Sequence, residues 1–226
     1  MKKELLLSKL QGFDPEIFAI LQDEIQRQRY MLSLVPNNNA MSPFAHYLEG
    51  SLLANSAFDA QNPNANSTNL EEIAIKRAKK LFGSEHAIVR LGNIGAASRV
   101  VCLALLQPNS RVLSFNLRKA EHCSGLSFTF KNFGIDAKKQ VLDWDEVEQT
   151  ADETKPHLII FSPVSYPRNA NYRRLSEIAR KVGAYLWVDI GQSVGLVAAG
   201  LLPSPVPFAD VVTFPTNDSL HGPDGA

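Results

Sequence analysis

GAYLWVDIGQSVGLVAAGLLPSPVPFADVVT, residues 183–213, carries two apolar runs on either side of a short helical pattern. AYLWVD (184–189) comes after a glycine suited to ending a helix and closes on an acid, and DVVTF (210–214) reads as a second strand, with a helix expected over 192–199 between them. Both runs are continuously apolar rather than alternating. Strands covered by helices on both faces have this pattern, so the stretch implies a strand–helix–strand unit in a parallel sheet.

Working outward, the same alternation continues upstream. HLIIF (157–161) is a strand, 171–182 a helix stopped by Gly183, and another helix is expected from Asp145. Before these come a short strand around Val141, a helix near 120, a strand RVLSF (111–115), a helix over 95–107 ended by Pro108, and a strand HAIVRL (86–91). Thr68-x-x-Glu71 matches a capping box, so a helix is expected from Thr68 to Gly83, with QNPNANSTN (61–69) as an exposed Asn-rich loop. Two amphipathic helices are expected earlier, over 14–32 and 43–55, each with a cap residue before a proline. The fold class expected is α/β: a three-layer, mainly parallel, doubly wound sheet with a helical N-terminal arm. The arm takes 1–55 and the sheet domain 56–226.

Bulk composition narrows the function. With 226 residues, 45% hydrophobic and 20% charged, the chain is long enough to bury a sizeable core. Its 23 basic and 23 acidic residues cancel, which removes the electrostatic basis for nucleic-acid binding despite local clusters such as KRAKK (76–80) and RNANYRR (168–174). No apolar run reaches the roughly 18 residues that span a bilayer. MKKELLLSKL is interrupted by Glu4 and makes a poor signal peptide. Cys102 and Cys123 cannot form a disulfide framework and lack the clustering of a zinc site, so no metal is expected and a reducing cytoplasm is the expected compartment.

In doubly wound sheets ligands sit beyond the carboxyl ends of the strands, which singles out four turns. LGNIGAAS (91–98), including Asn93 and Gly95, either offers free N–H groups to an anion or is simply a tight turn. Asp189 either caps the next helix or holds a proton on a ring nitrogen. His122 is structural or solvated, or else stacks on a planar ligand. FPTNDSLHGPDGA (214–226) leaves the last strand as an active-site loop would.

Taken together, EEIAIKRAKKLFG (71–83), ALLQPNSRVLSFNL (104–117), KPHLIIFSPVSYPRN (155–169) and the 183–213 stretch resemble the large domain of serine hydroxymethyltransferases, a family of fold-type-I pyridoxal-phosphate enzymes. The resemblance runs from about Asp14 to Ala226. It implies pyridoxal phosphate as cofactor and a homodimer, with glycine and serine one-carbon chemistry. It also implies that the family's small C-terminal domain has no counterpart here. Residue by residue, Asp189 matches the acid that protonates the pyridine nitrogen, and His122 matches the histidine stacked on the ring.

Other positions depart from the family pattern. TTTTHKTLRGPRGG, whose lysine forms the internal aldimine, reads TFPTNDSLHGPDGA here, which puts Asp218 at the lysine position. SENxxSP reads NNNAMSP, so Asn38 replaces the glutamate proposed to move protons. The Ser-Gly-Ser phosphate cup becomes Asn93-Ile94-Gly95, Gln192 stands for a histidine and Val164 for a ring-contacting serine. No residue is thus assigned a catalytic role. The expectation is a degenerate, inactive protein with cofactor binding weak or lost, acting as a homodimer or hetero-oligomer with a related chain. The alternative is residual hydroxymethyltransferase or aldolase-type activity, with a partner chain supplying the lysine and small domain.

Overall fold

A computed structural model describes residues 3–35, 38–55, 66–115, 128–164 and 166–226. The chain divides into two units, Met1–Asn38 and Asn39–Ala226. The expected arm, 1–55, spans the first unit and the start of the second.

In the first unit, α1 (Lys3–Phe13) precedes α2 (Pro15–Tyr30). The sequence pattern indicates no helix before Asp14, so α1 is an addition. Asp14 has the role expected of it: its Oδ1 accepts from the Ile17 N–H at 3.0 Å, and Pro15 fills the first turn, where no N–H partner is needed. The apolar stripe of α2 exists but buries nothing, with Ile20 65% exposed.

The second unit begins with α3 (Pro43–Glu49), a 3-10 turn (Leu52–Asn55) and α4 (Asn66–Phe82). Because α4 starts at Asn66, residues 66–69 are helical rather than loop, and Thr68 lies inside the helix rather than at its cap. α5 (Ile94–Leu105) then leads into β1 (Arg111–Phe115), β2 (Thr129–Phe133) and an antiparallel pair, β3 (Ile135–Asp136) with β4 (Val141–Leu142). The rest is α6 (Trp144–Thr154), β5 (Leu158–Phe161), α7 (Tyr172–Val182), β6 (Tyr185–Asp189), α8 (Val194–Ala198) and β7 (Val211–Thr213).

Five parallel strands form the main sheet in the order β2-β1-β5-β6-β7. The expected mainly parallel α/β sheet is therefore present, and its apolar runs are explained by two separate cores. On one face, α6, α7 and α8 cover Leu113, Ile159, Phe161, Leu186 and Val188. On the other, Val101, Cys102 and Leu106 from the region of α5 meet Val112, Leu158, Ile160 and Trp187. Cys102 is fully buried there. Gly183 ends α7 at φ 73°, a left-handed conformation a side chain would resist.

Two sequence expectations are corrected. HAIVRL is not a strand: apolar residues alone do not make one without a ladder partner, and here Ile88 is 68% exposed while the Leu91 carbonyl accepts from Ala226 N–H. β2 is a strand that the sequence pattern does not indicate, since TFKNF mixes a lysine and an asparagine into the run. It is an edge strand, so only Phe133 needs full burial. The expected helix near 120 lies outside the described residues.

The division between buried and exposed apolar residues sets the energetics. Leu175→Ala, at a fully buried site, is expected to cost about 2–5 kcal/mol, whereas Leu103→Ala, at a 65% exposed site, should stay within about 0.5 kcal/mol. Urea unfolding midpoints of the two variants check this.

Candidate functional site

Strand order reverses at β1: β2 lies to one side, and β5, β6 and β7 on the other. The crevice between the carboxyl ends of β1 and β5 is where doubly wound sheets take their ligands, because the connections there diverge to opposite faces. Out of β1 the chain enters 116–127, so His122 lies outside the described residues. Out of β5, β6 and β7 come Ser162, Ile190 and Phe214, each opening a turn that borders this end of the sheet.

Asp189 is the last residue of β6 and only 5% exposed. A buried polar chain leads to it: Trp187 Nε1–H donates to Thr213 Oγ1 at 2.8 Å, and the Thr213 hydroxyl donates to Asp189 Oδ2 at 2.9 Å. The other carboxylate oxygen, Oδ1, accepts from Gly191 N–H at 2.9 Å. Asp189 does not cap α8, which begins only at Val194. It closes the Gly191 turn instead and ties β6 to β7.

The closing stretch folds back on itself and on the elements around the crevice. Thr216 N–H donates to Gly225 O, Gly222 N–H to Thr216 O and Thr216 Oγ1 to Pro223 O, at 2.6–2.9 Å. Gly195 N–H donates to Ser219 Oγ, and a Cβ at Gly195 would lie 2.8 Å from the Ser219 carbonyl, so α8 and this loop meet only because residue 195 is glycine. Asn39 Nδ2 donates to the Asp218 carbonyl at 3.0 Å, Ser42 N–H donates to His221 O, and His221 Nδ1 lies 2.7 Å from Ala40 O. Residues 214–226 are therefore a built loop rather than a tail.

Asp218 is held within that loop, 6% exposed. Burial pushes its carboxyl above the usual aspartate range, and the negative charges of Asp189 and Asp224 push it the same way. Two carboxyl side chains, one from β6 and one from the loop after β7, thus stand near enough at this end of the sheet for the charge of one to act on the other.

The remaining candidates are dispersed. Asn93 caps α5, with Oδ1 accepting from Ala96 N–H at 2.9 Å, so one of the helix-start donors an anion would use is already taken. A Cβ on Gly95 would meet that same oxygen at 3.2 Å. Gln192 and Val164, by contrast, line one cleft of about 310 Å³ together with Asp189, Tyr166, Tyr172 and Leu196. Asn38 belongs to the first unit, where its Nδ2 donates to Ser33 Oγ.

Sequence reasoning missed Ser162, the residue directly after the fully buried β5. Its hydroxyl is buried, 1% exposed, and has no hydrogen-bond partner among the described residues. The signal available was a small polar residue ending an otherwise apolar run, HLIIFS.

The acidity of Asp218 makes stability depend on pH. Its carboxyl is weaker in the fold than in the free chain, so between the ordinary aspartate value of about 3.9 and the raised one the folded state holds a proton the unfolded state has lost. Raising the pH through that window therefore removes stability. Asp218→Asn is expected to stabilise the protein by about 1 kcal/mol at neutral pH and to leave it unchanged near pH 3, as read from urea unfolding at both values.

Comparison with known proteins bears on the whole of this arrangement. The family model described as "Serine hydroxymethyltransferase" matches residues 10–226. A serine hydroxymethyltransferase of Coprothermobacter proteolyticus is 40% identical over 227 residues, covering 94% of this chain and 54% of the relative. A probable serine hydroxymethyltransferase of Rickettsia bellii is 38% identical over 232 residues, covering 96% of this chain and 55% of the relative. The chain spans about half the length of these curated relatives. With a match that takes in β1 to β7 and the loop beyond them, the chain belongs to the serine hydroxymethyltransferase family.

Proposed function

We propose that this chain is a catalytically inactive member of the serine hydroxymethyltransferase family that works by associating with another chain. The observation that carries the proposal is Asp218, a buried carboxyl at the position matching the family's aldimine lysine. A lysine amine adds to an aldehyde and returns protons; a carboxylate forms no imine. The pyridoxal phosphate implied by the family does not fit these residues as a covalently held group. Burial and the charges of Asp189 and Asp224 already work against a second anion near residue 218, so a phosphate ester is opposed there too.

Further support comes from Asn93, which spends its oxygen on Ala96 N–H where the family has a serine of its phosphate cup. Each charge-assisted hydrogen bond contributes about 1.5–3 kcal/mol, and losing two or three would cost roughly two to six powers of ten in affinity. Asn38, at the proton-moving position, has no proton to exchange in the accessible pH range. Retained Asp189 supplies a hydrogen-bond acceptor but no anchor.

Association, as a homodimer or with a related chain, is favoured by the apolar side chains left outside. Phe44 and Leu52 are each more than 80% exposed, and a partner would remove them from water. The compartment proposed is the cytoplasm.

A titration with pyridoxal phosphate monitored by absorbance tests the proposal, with serine cleavage in the presence of tetrahydrofolate measured alongside. No aldimine band and no cleavage are expected, and an oligomer is expected by light scattering. A band at the visible edge accompanied by turnover would sink the inactive reading; a stable monomer would sink the association.

A further inference from the structure

We propose that the open edge of β7 takes one extended, uncharged apolar segment of a partner chain, which lies between that strand and residues 86–91. The partner's existence rests on the association proposed above; the slot is a property of this chain.

The two edges of the main sheet are unlike. β2 carries Lys131 and Asn132, polar residues that discourage pairing with a further strand. β7 carries no charge and has β6 on one side only. Its side chains nonetheless serve both cores, Val211 packing against the cluster of Val112 and Trp187, and Val212 against that of Leu186 and Val188. A strand covered on both faces belongs inside a sheet rather than at its rim, yet Val211 and Val212 are only half-buried. Asp210 N–H donates to Leu186 O, and successive residues turn their backbone groups to opposite sides of a strand, so those of Val211 face away from β6.

HAIVRL, residues 86–91, forms the other wall. The run contains no helix, turn or bend, its exposure alternates from residue to residue, and Ile88 is 68% exposed. The backbone groups of Ala87, Ile88 and Val89 have no hydrogen-bond partner among the described residues. Both ends of the run are pinned near β7: the Phe82 ring packs on Phe214 with centroids 4.7 Å apart, and Leu91 is joined to the loop beyond the strand. That join gives the width of the slot. Thr216 N–H donates to Gly225 O at 2.9 Å, and Ala226 N–H, from the same peptide unit, donates to Leu91 O at 2.9 Å. One peptide plane thus bonds to both walls, as a strand does between two neighbours, which sets the walls about 9.5 Å apart there. Below this rung, no strand among the described residues pairs with the outer side of β7.

The walls set the chemistry of the occupant. Backbone groups on both sides call for an extended main chain with its own N–H groups, which excludes proline at the middle of the segment. Val211, Val212 and Ile88 beside it favour β-branched or aromatic side chains, and a charge there would lose water without gaining a partner. A segment of about five residues matches the usual length of a strand.

Amide hydrogen exchange on the full chain, with and without the fluorescently labelled peptide TVIVVKK, tests the proposal; the two lysines serve only solubility. Exchange at Ala87, Ile88, Val89 and Val211 is expected to slow about tenfold or more when the peptide binds. By anisotropy, the same peptide with proline at its third position should bind about tenfold more weakly. Ile88→Asp, at an exposed site, should weaken binding severalfold and leave thermal unfolding of the free chain unchanged. Binding that leaves those amides unprotected, equal binding of the proline peptide, or free exchange at those amides with no binding at about 1 mM peptide overturns the proposal. Light scattering on the chain alone separates this from the association reading. An oligomer in which the same amides are already protected supports the proposal and assigns the segment to a second copy. An oligomer in which they exchange freely, and in which the peptide does not protect them, keeps the association and overturns the slot. A monomer in which the peptide protects them keeps the slot and counts against self-association.

Discussion

Burial of β5 on both faces is the constraint on which the rest of the sheet depends. Leu158, Ile159, Ile160 and Phe161 are each at most 1% exposed, so every side chain of this strand needs a helix layer or its equivalent above or below it. α6 and α7 supply one layer and α5 the other, and the parallel neighbours β1 and β6 satisfy the backbone. A strand with no wet face can lie only at the middle of a doubly covered sheet. That position fixes the switch in strand order beside it, and hence the crevice.

The central part of this architecture was legible in the sequence because burial leaves a compositional trace. RVLSF, HLIIF and AYLWVD are runs that water would punish, and Gly183 marks the end of α7 by cap chemistry that depends on a single residue. Legibility failed where tertiary context decides. HAIVRL has the composition of a strand but no ladder partner among the described residues, and TFKNF has a partner but a mixed composition, so pattern alone misassigned the first and passed over the second. Thr68 satisfied a capping rule, yet α4 already starts at Asn66.

The site divides along the same line. Asp189 could be picked out because it closes a strand that can be recognised by itself, and Asp218 from the family resemblance of the loop after the next strand. What the residues do there could not be read. The hydrogen bond from Trp187 through Thr213 to Asp189 joins positions on two strands, and the isolation of the Ser162 hydroxyl is a property of its neighbours rather than of the serine. His122 keeps only its sequence assignment, since it lies outside the described residues.

The indole of Trp187 is fully buried and its N–H reaches Asp189 through one hydroxyl. An excited indole shifts electron density away from its pyrrole ring, so its emission colour responds to charge fixed nearby. The wiring that joins β6 to β7 therefore makes the protein its own optical electrometer: the charge of Asp189 is written into light from a buried residue two hydrogen bonds away.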